Sequence, residues 1–348
     1  MAELRRVEVT EPGITRRARG SGFEYFDDDG AKVTDSEVLE RIAELVVPPA
    51  WKEVWICPYP MGHIQATGTD AAGRKQYRYH SHWRERRDQE KFDGMLRFAR
   101  ALPPLRGAVA GDLALKGLPR ERALACAVRL LDRGFFRVGG EGYAAENETY
   151  GLATMQKRHV TVTREDVIVF DYIAKSGKRR IQRVMDDDVC SIVKTLRRRR
   201  GGGLELLAYK RGSRWYDIRS EDINEYVKVH AGPYTAKDFR TWNATVLAAV
   251  ALAVSGPAAA GSKTMRKRAE TRAVKEVAGY LGNTPAVARA SYIDPRLFDR
   301  FEQGLTIGGA LVELGDDGDI SEPHLMGVEG AVLELLEEDD SAMVEKVA

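Results

Sequence analysis

The chain has 348 residues, 43% of them hydrophobic and 30% charged, with a formal net charge of +2. That length accommodates two domains or one large one, and the composition excludes a disordered or fibrous chain. The small net charge hides a segregation. Residues 301–345 hold thirteen Asp/Glu and no Lys/Arg, which leaves residues 1–300 with 53 basic against 39 acidic side chains, a net of +14. A body that basic, carrying an acidic segment, suits a polyanionic partner.

The N-terminal MAELRRVEVTEPG has no apolar core of the kind a secretory signal needs. Residues 22–29 and 31–34 read as two short strands about a DDDG turn, while residues 1–20 are polar, basic and expected to have little order. A short helix over 36–45 follows, then strands near 53–57 and 62–67, the turn DAAGRKQ and a strand-like QYRYH. A charged helix is expected over 83–102, ended by Pro103-Pro104. Beyond Leu118 the pattern becomes helical. Helices are expected over 120–131, 186–200, 220–230, 238–254 and 263–281, with one hairpin through the KSGK turn and a smaller one over 204–218. The fold class is therefore α+β, with a β-rich domain over 1–88 and a larger, mainly helical domain over 89–348 that ends in the acidic segment. The apolar positions Leu311, Leu314, Val332, Leu335 and Leu336 suggest that this segment packs on the helical domain, and its charge suggests that it competes with a polyanion for the basic surface.

Several function classes drop out. The longest apolar run, 244–254, is eleven residues with one threonine, too short to cross a bilayer, so no membrane partner is expected. Cys57, Cys126 and Cys190 form neither an even disulfide set nor a metal pair, and His80 and His82 lack partnering ligands. We expect no metal, and a reduced, cytoplasmic setting. GPAAAGSKT resembles a phosphate-binding loop but has serine where lysine must follow the second glycine, and it lies between helical patterns. No nucleotide cofactor is expected.

What remains are separated cations and one tyrosine. Arg137 lies in FFRVGGEGY, whose glycines permit close approach of a ligand. Asn147 and Thr149 in AENETYGL are short hydrogen-bonding groups. Lys175 sits at a hairpin tip in IAKSGK, with Lys178 as its rival on the same turn. Arg240 opens a helix in KDFRTW, one turn after Lys237. In LGNTPAVARASYIDP, Tyr292 stands nine residues after Asn283, and Thr284 and Pro285 suit the start of a short intervening helix. Each cation alone reads as a surface charge. Together they hold what phosphoryl transfer to tyrosine requires: guanidinium groups for the phosphorane oxygens, a neutral donor, a lysine acid for the leaving oxygen and a covalent nucleophile.

From about residue 48 to about residue 295 the chain resembles the type IB DNA topoisomerases of the compact poxvirus and bacterial kind. The resemblance rests on PPAWKEVWICPYPMGHIQATGTDAAGRKQYRYH, FFRVGGEGYAAENETYGLATMQKRHV, FDYIAKSGK, KDFRTW and LGNTPAVARASYI, in the family order. It implies a catalytic domain of the tyrosine recombinase/topoisomerase IB type, with Tyr292 as nucleophile, Arg137 and Arg240 on the scissile phosphate and Lys175 as general acid. Asn283 stands where the viral form has histidine, and an amide does not titrate. Gln76 and Tyr77 match positions that touch DNA in the major groove; Tyr143, Asn147 and Thr149 match positions near the phosphate backbone, and Lys237 is grouped with them as a DNA contact. The implied activity is relaxation of supercoiled duplex DNA through a 3′-phosphotyrosyl intermediate, by a monomer that clamps the duplex, in a bacterial, nucleoid-associated setting, without ATP or metal. Two alternatives stay open: a tyrosine recombinase, although Lys237 replaces the usual histidine and the N-terminal domain looks β-rich, and a non-enzymatic architectural DNA-binding protein.

Overall fold

The computed structural model describes residues 3–259, 261–315, 322–337 and 345–346 and divides into two compact units, Met1–Asp93 and Gly94–Ala348. In the first, strands β1 (Ile14–Arg19), β2 (Gly22–Phe26), β3 (Lys52–Ile56), β4 (Ile64–Thr69) and β5 (Lys75–Tyr79) form one antiparallel sheet in the order β2-β1-β3-β4-β5. Helix α1 (Ser36–Glu44) begins at Asp35, whose carboxylate accepts from the amides of Glu37 and Val38 (2.9 and 3.1 Å) and so satisfies two of the free N–H groups of a helix start. Its Ile42 packs with Ile14, Val54, Ile56 and Ala66.

Two expectations need correction here. Residues 14–19 form a strand rather than a poorly ordered arm. Ile14 supplies the one buried side chain, and the Arg16 guanidinium donates to the carbonyls of Val47, Pro48 and Trp51 at 3.3, 3.0 and 2.7 Å. Those acceptors lie some thirty residues away, so the local sequence gave no sign of them. The strand expected over 31–34 shrinks to a single bridge between Phe26 and Lys32.

Helix α2 (Ser81–Leu113) does not stop at Pro103-Pro104 but runs through both. Two prolines remove two N–H donors. Leu102, Leu105, Val109 and Leu113, spaced three or four apart and all buried, offset that loss by burial.

In the second unit, α3 (Arg120–Gly134) is buried continuously from Ala123 to Asp132, which marks it as a central helix rather than a surface one. After α4 (Glu141–Asn147), strands β6 (Val160–Val162), β7 (Ile168–Ala174) and β8 (Lys178–Val184) make an antiparallel sheet in chain order. Helix α5 (Asp187–Arg198), the hairpin β9 (Ala208–Arg211) and β10 (Arg214–Asp217), and α6 (Ser220–Ala231) lead to the second central helix, α7 (Ala236–Ala259). This helix begins two residues before the expected 238, and it runs through Gly256-Pro257 instead of ending at 254. A proline in the last turn costs little there, because Phe239, Trp242, Ala248, Ala249 and Leu252 already anchor the helix in the core. Helices α8 (Lys263–Leu281), α9 (Pro285–Ser291) and α10 (Arg296–Glu302) follow, then β11 (Leu305–Thr306), α11 (Gly308–Gly315), α12 (Glu322–Glu337) and β12 (Glu345–Lys346), which pairs with β11.

The acidic segment does pack: Val332, Leu335 and Leu336 are buried and Leu311 is half-buried, while Leu314 lies outside the described side chains. Part of its charge is spent inside the fold. Arg106 donates to Asp132 (2.9 Å twice) and to Glu329 (2.6 and 2.9 Å), and Trp242 Nε1 donates to Glu329 at 3.0 Å. Burial disfavours the Arg106 charge, but its bonds to Glu329 and Asp132 outweigh that and push its pKa above the ordinary arginine value.

Candidate active site

Five predicted residues come from five separate places in the second unit, and local backbone chemistry fixes each. Arg137 follows α3, whose C-terminal cap Phe135 adopts the left-handed conformation (φ 56°). The Arg137 and Val138 carbonyls accept from the amides of Leu152 and Ala153 at 2.8 and 2.7 Å. The two segments approach so closely that a Cβ on Gly151 would lie 2.4 Å from the Gly139 Cα. Glycine at both positions is what allows the Arg137 segment to be pinned.

Lys175 sits where β7 turns into β8, in a tight turn whose Ser176 and Gly177 both have positive φ (69° and 70°). Arg240 lies in the second turn of α7 rather than at its start. Asn283 follows the end of α8, where Gly282 takes the left-handed conformation (φ 66°) and the Asn283 amide donates to Ala278 O at 3.0 Å, the glycine-ended closure common at helix C-termini. Tyr292 caps α9. That helix starts as the sequence suggested, with Thr284 accepting from Val287 N at 3.3 Å and Pro285 in the first turn.

Tyr292, Arg137, Lys175, Arg240, Lys237 and Thr149 line one cavity of about 280 Å³, together with Val138, Gly139, Gly140, Tyr150, Gly151 and Ala236. Asn283 joins from behind: Arg137 Nη2 donates to its Oδ1, and its buried Nδ2 has no partner. Lys178 does not line this cavity, which separates it from Lys175. Arg240 is 4% exposed. Its Nη1 donates to Phe135 O at 2.5 Å and its Nη2 to Leu281 O at 3.0 Å, so one guanidinium ties the ends of α3 and α8 together. Its Nε is buried without a partner, and its guanidinium carbon lies 5.3 Å from the Tyr292 ring centroid.

The electrostatics are those of a site short of negative charge. Burial, reinforced by the nearby Arg137 charge and opposed by Tyr292, lowers the Arg240 pKa to about 10. Burial alone would raise the Tyr292 phenol. The Arg240 charge, with the Arg137 charge behind it, overcomes burial and sets the phenol below its ordinary value. An anion between the two guanidinium groups would relieve their repulsion and take up their remaining N–H donors.

Sequence reasoning missed Tyr150, which is held by its amide to Ile173 O (2.8 Å) and by a ring contact with His159 at 4.4 Å. It missed Arg180 on β8, which donates to Gly279 O (2.7 Å) and Tyr280 O and so joins the lysine hairpin to the end of α8. It also missed Thr245 on α7. This fully buried hydroxyl accepts from Asp294 N at 3.2 Å and lies within donor reach of the carbonyls of Thr241 (3.1 Å) and Tyr292 (3.3 Å). No local pattern marks these residues; only their long-range partners do.

The other predicted contacts are not in the cavity. Asn147 ends α4 on the surface, and the Tyr143 side chain lies outside the described residues. In the first unit, Gln76 and Tyr77 lie on edge strand β5. Gln76 Nε2 donates to Asp70 Oδ2 at 2.9 Å, and the exposed Tyr77 ring stacks on Tyr79 with centroids 6.0 Å apart.

The sequence matches two family models: "Eukaryotic DNA topoisomerase I, catalytic core" over residues 80–303, and "Bacterial DNA topoisomerase IB, N-terminal domain" over residues 22–70. It is 31% identical over 287 residues to a DNA topoisomerase 1B of Acanthamoeba polyphaga mimivirus, covering 81% of this chain and 85% of that protein. It is also 25% identical over 219 residues to a DNA topoisomerase 1 beta of Arabidopsis thaliana, covering 59% of this chain and 22% of the plant protein. With a core model matched across most of the second unit and a viral relative matched along most of its length, the chain belongs to the type IB DNA topoisomerase family.

Proposed function

We propose that this protein relaxes supercoiled duplex DNA by transient cleavage of one strand, and that Tyr292 carries the cut strand. The observation that bears most weight is the convergence of Tyr292, Arg137, Arg240 and Lys175 on one cavity from separate elements. The Tyr292 phenol gives its proton to solvent water, and its oxygen attacks the scissile phosphorus. The bond from phosphorus to the 5′ oxygen breaks, and Lys175 gives that oxygen its proton. The products are a 3′-phosphotyrosyl link and a free 5′ hydroxyl. Arg137 and Arg240 match the phosphorane oxygens, and the Asn283 Nδ2 donates to a nonbridging oxygen without changing protonation. The phosphotyrosyl bond stores the energy of the broken linkage, so after the free end rotates, attack by the 5′ hydroxyl reseals the strand. ATP has nothing to supply, and the arginines and lysine provide the charge a metal would. The protein acts as a monomer that holds the duplex, with Gln76 and Tyr77 of the first unit as further contacts, in a bacterial cytoplasm beside the nucleoid.

Plasmid relaxation in EDTA without ATP tests this reading. Wild type relaxes the plasmid, whereas Tyr292→Phe binds DNA with unchanged affinity and yields no covalent protein–DNA adduct. A covalent adduct in that variant would remove Tyr292 from its role.

A further inference from the structure

The site described above uses few of the cations that make residues 1–300 so basic. One face of α8 collects a separate set. Lys263, Lys267, Arg268, Thr271, Arg272 and Lys275 recur at intervals of three or four and border one surface groove; all are exposed. Against these five cations the helix exposes one acid, Glu276, four residues after Arg272. Glu270 turns inward and pairs with Arg289 at 3.2 Å. None of the five cations makes an ion pair with a carboxylate among the described residues; Arg272 donates instead to Ser255 Oγ at 3.0 Å. Like charges one helical turn apart repel and weaken a helix, and among the described residues one exposed glutamate against five cations leaves most of that repulsion in place.

Geometry says what does. Residues four apart on a helix rise by about 6 Å, so Lys263 to Lys275 spans about 18 Å of continuous positive charge. The stripe has its near end at Lys275, which also borders a second groove where Arg133, Arg179, Arg180 and Arg183 outnumber the one acid, Glu276, beside Tyr280. Tyr280 is three residues from Asn283. From Leu281 back to Lys263 the helix extends about 27 Å, the length of about eight base pairs at 3.4 Å each. A compact anion could neutralise only one end of such a stripe. A polyanion with evenly spaced charges covers all of it.

We infer that the exposed face of α8 binds the phosphate backbone of the duplex being cleaved, along a flank that runs from about three to about eight base pairs from the scissile phosphate. This rests on the reading of Tyr292 as the cleaving residue. The flank contact positions nothing in the chemistry. It adds affinity through counterion release, so its signature is a length-dependent and salt-dependent term in binding, without effect on the cleavage step.

The test compares Lys263→Gln/Lys267→Gln/Arg268→Gln, the far end of the stripe, with wild type on two duplexes, one of about 10 base pairs centred on the cleavage position and one of about 40. These are surface changes, and an unchanged melting temperature verifies the fold. On the long duplex the triple variant should lose about tenfold or more in affinity at low salt, and the slope of log K against log salt should flatten by about two to three. On the short duplex, affinity and single-turnover cleavage should match wild type; that arm reports on Tyr292 independently. The triple Glu variant should show a larger loss, again on the long duplex only. Equal losses on both lengths, no loss on the long one, or a loss seen only when two separate duplexes are bridged would each overturn the assignment.

Discussion

Arg137 Nη2 donates to Oδ1 of Asn283, joining the segment after α3 to the segment after α8. The bond occupies the amide's acceptor, which fixes the amide's orientation and leaves the buried Nδ2 as a donor with no partner. An orphaned buried donor costs stability unless a ligand uses it. Asn283→Ala should therefore slow single-turnover cleavage by about 10², the scale of one oxyanion-type donor, and change binding little. Asn283→His should keep more activity but add an ionisation near pH 6.5 to the rate profile, because imidazole titrates where an amide cannot. A flat loss of binding with an unchanged cleavage step would show the residue to be structural.

The two lysines of the KSGK turn separate by position. Lys175 lines the cavity and Lys178 does not. Lys175→Ala should cut cleavage by about 10² or more, as loss of a general acid does. Placing sulfur at the 5′ bridging position should restore most of the rate, since a thiolate of pKa about 8.5 leaves without a proton. Lys178→Ala should stay within about threefold of wild type, a loss of under 1 kcal/mol in transition-state stabilisation. Failure of the sulfur substrate to rescue Lys175→Ala would count against its role as acid.

The phenol of Tyr292 is set below its ordinary value: burial raises it, and the charges of Arg240 and Arg137 outweigh burial. The phenolate fraction grows as pH rises through the pKa, so a lowered pKa moves the rising limb of kcat/KM to lower pH. Arg137→Ala removes one of the lowering charges. Its rising limb should appear at higher pH than wild type, in addition to any drop in the plateau. An unshifted limb would mean that the phenol ionisation does not control the rate.

Thr245 fastens the chain at and just after Tyr292 to α7, the helix that carries Arg240. Thr245→Val keeps the shape and removes the hydroxyl, leaving Asp294 N without its acceptor. Destabilisation of about 1–3 kcal/mol is expected from that unpaired amide. Cleavage should fall at temperatures where the variant is fully folded, with KM little changed, and Thr245→Ser should recover most of it. A variant that lost stability but cleaved normally would confine Thr245 to the fold.

The sequence by itself determined what short-range chemistry controls. Thr284 and Pro285 specify the start of α9 and so the placement of Tyr292 at its end. Asp35 and Asp186 cap helices whose apolar spacing is plain in the chain. The motifs around Arg137, Lys175, Arg240, Asn283 and Tyr292 carried the family resemblance, and the family is the one the comparisons show. Tertiary structure decided the rest, because the deciding partners lie far off in the chain. Arg16 needs carbonyls some thirty residues away before 14–19 can be a strand. The prolines of α2 are tolerated because Leu105, Val109 and Leu113 find a core to bury in. Arg240 reads as one basic residue of fifty-four, yet it bonds carbonyls 105 and 41 residues distant and approaches Tyr292. Residue type is a local property. The field that lowers a phenol, and the buried donors left without partners, exist only once distant segments are packed together.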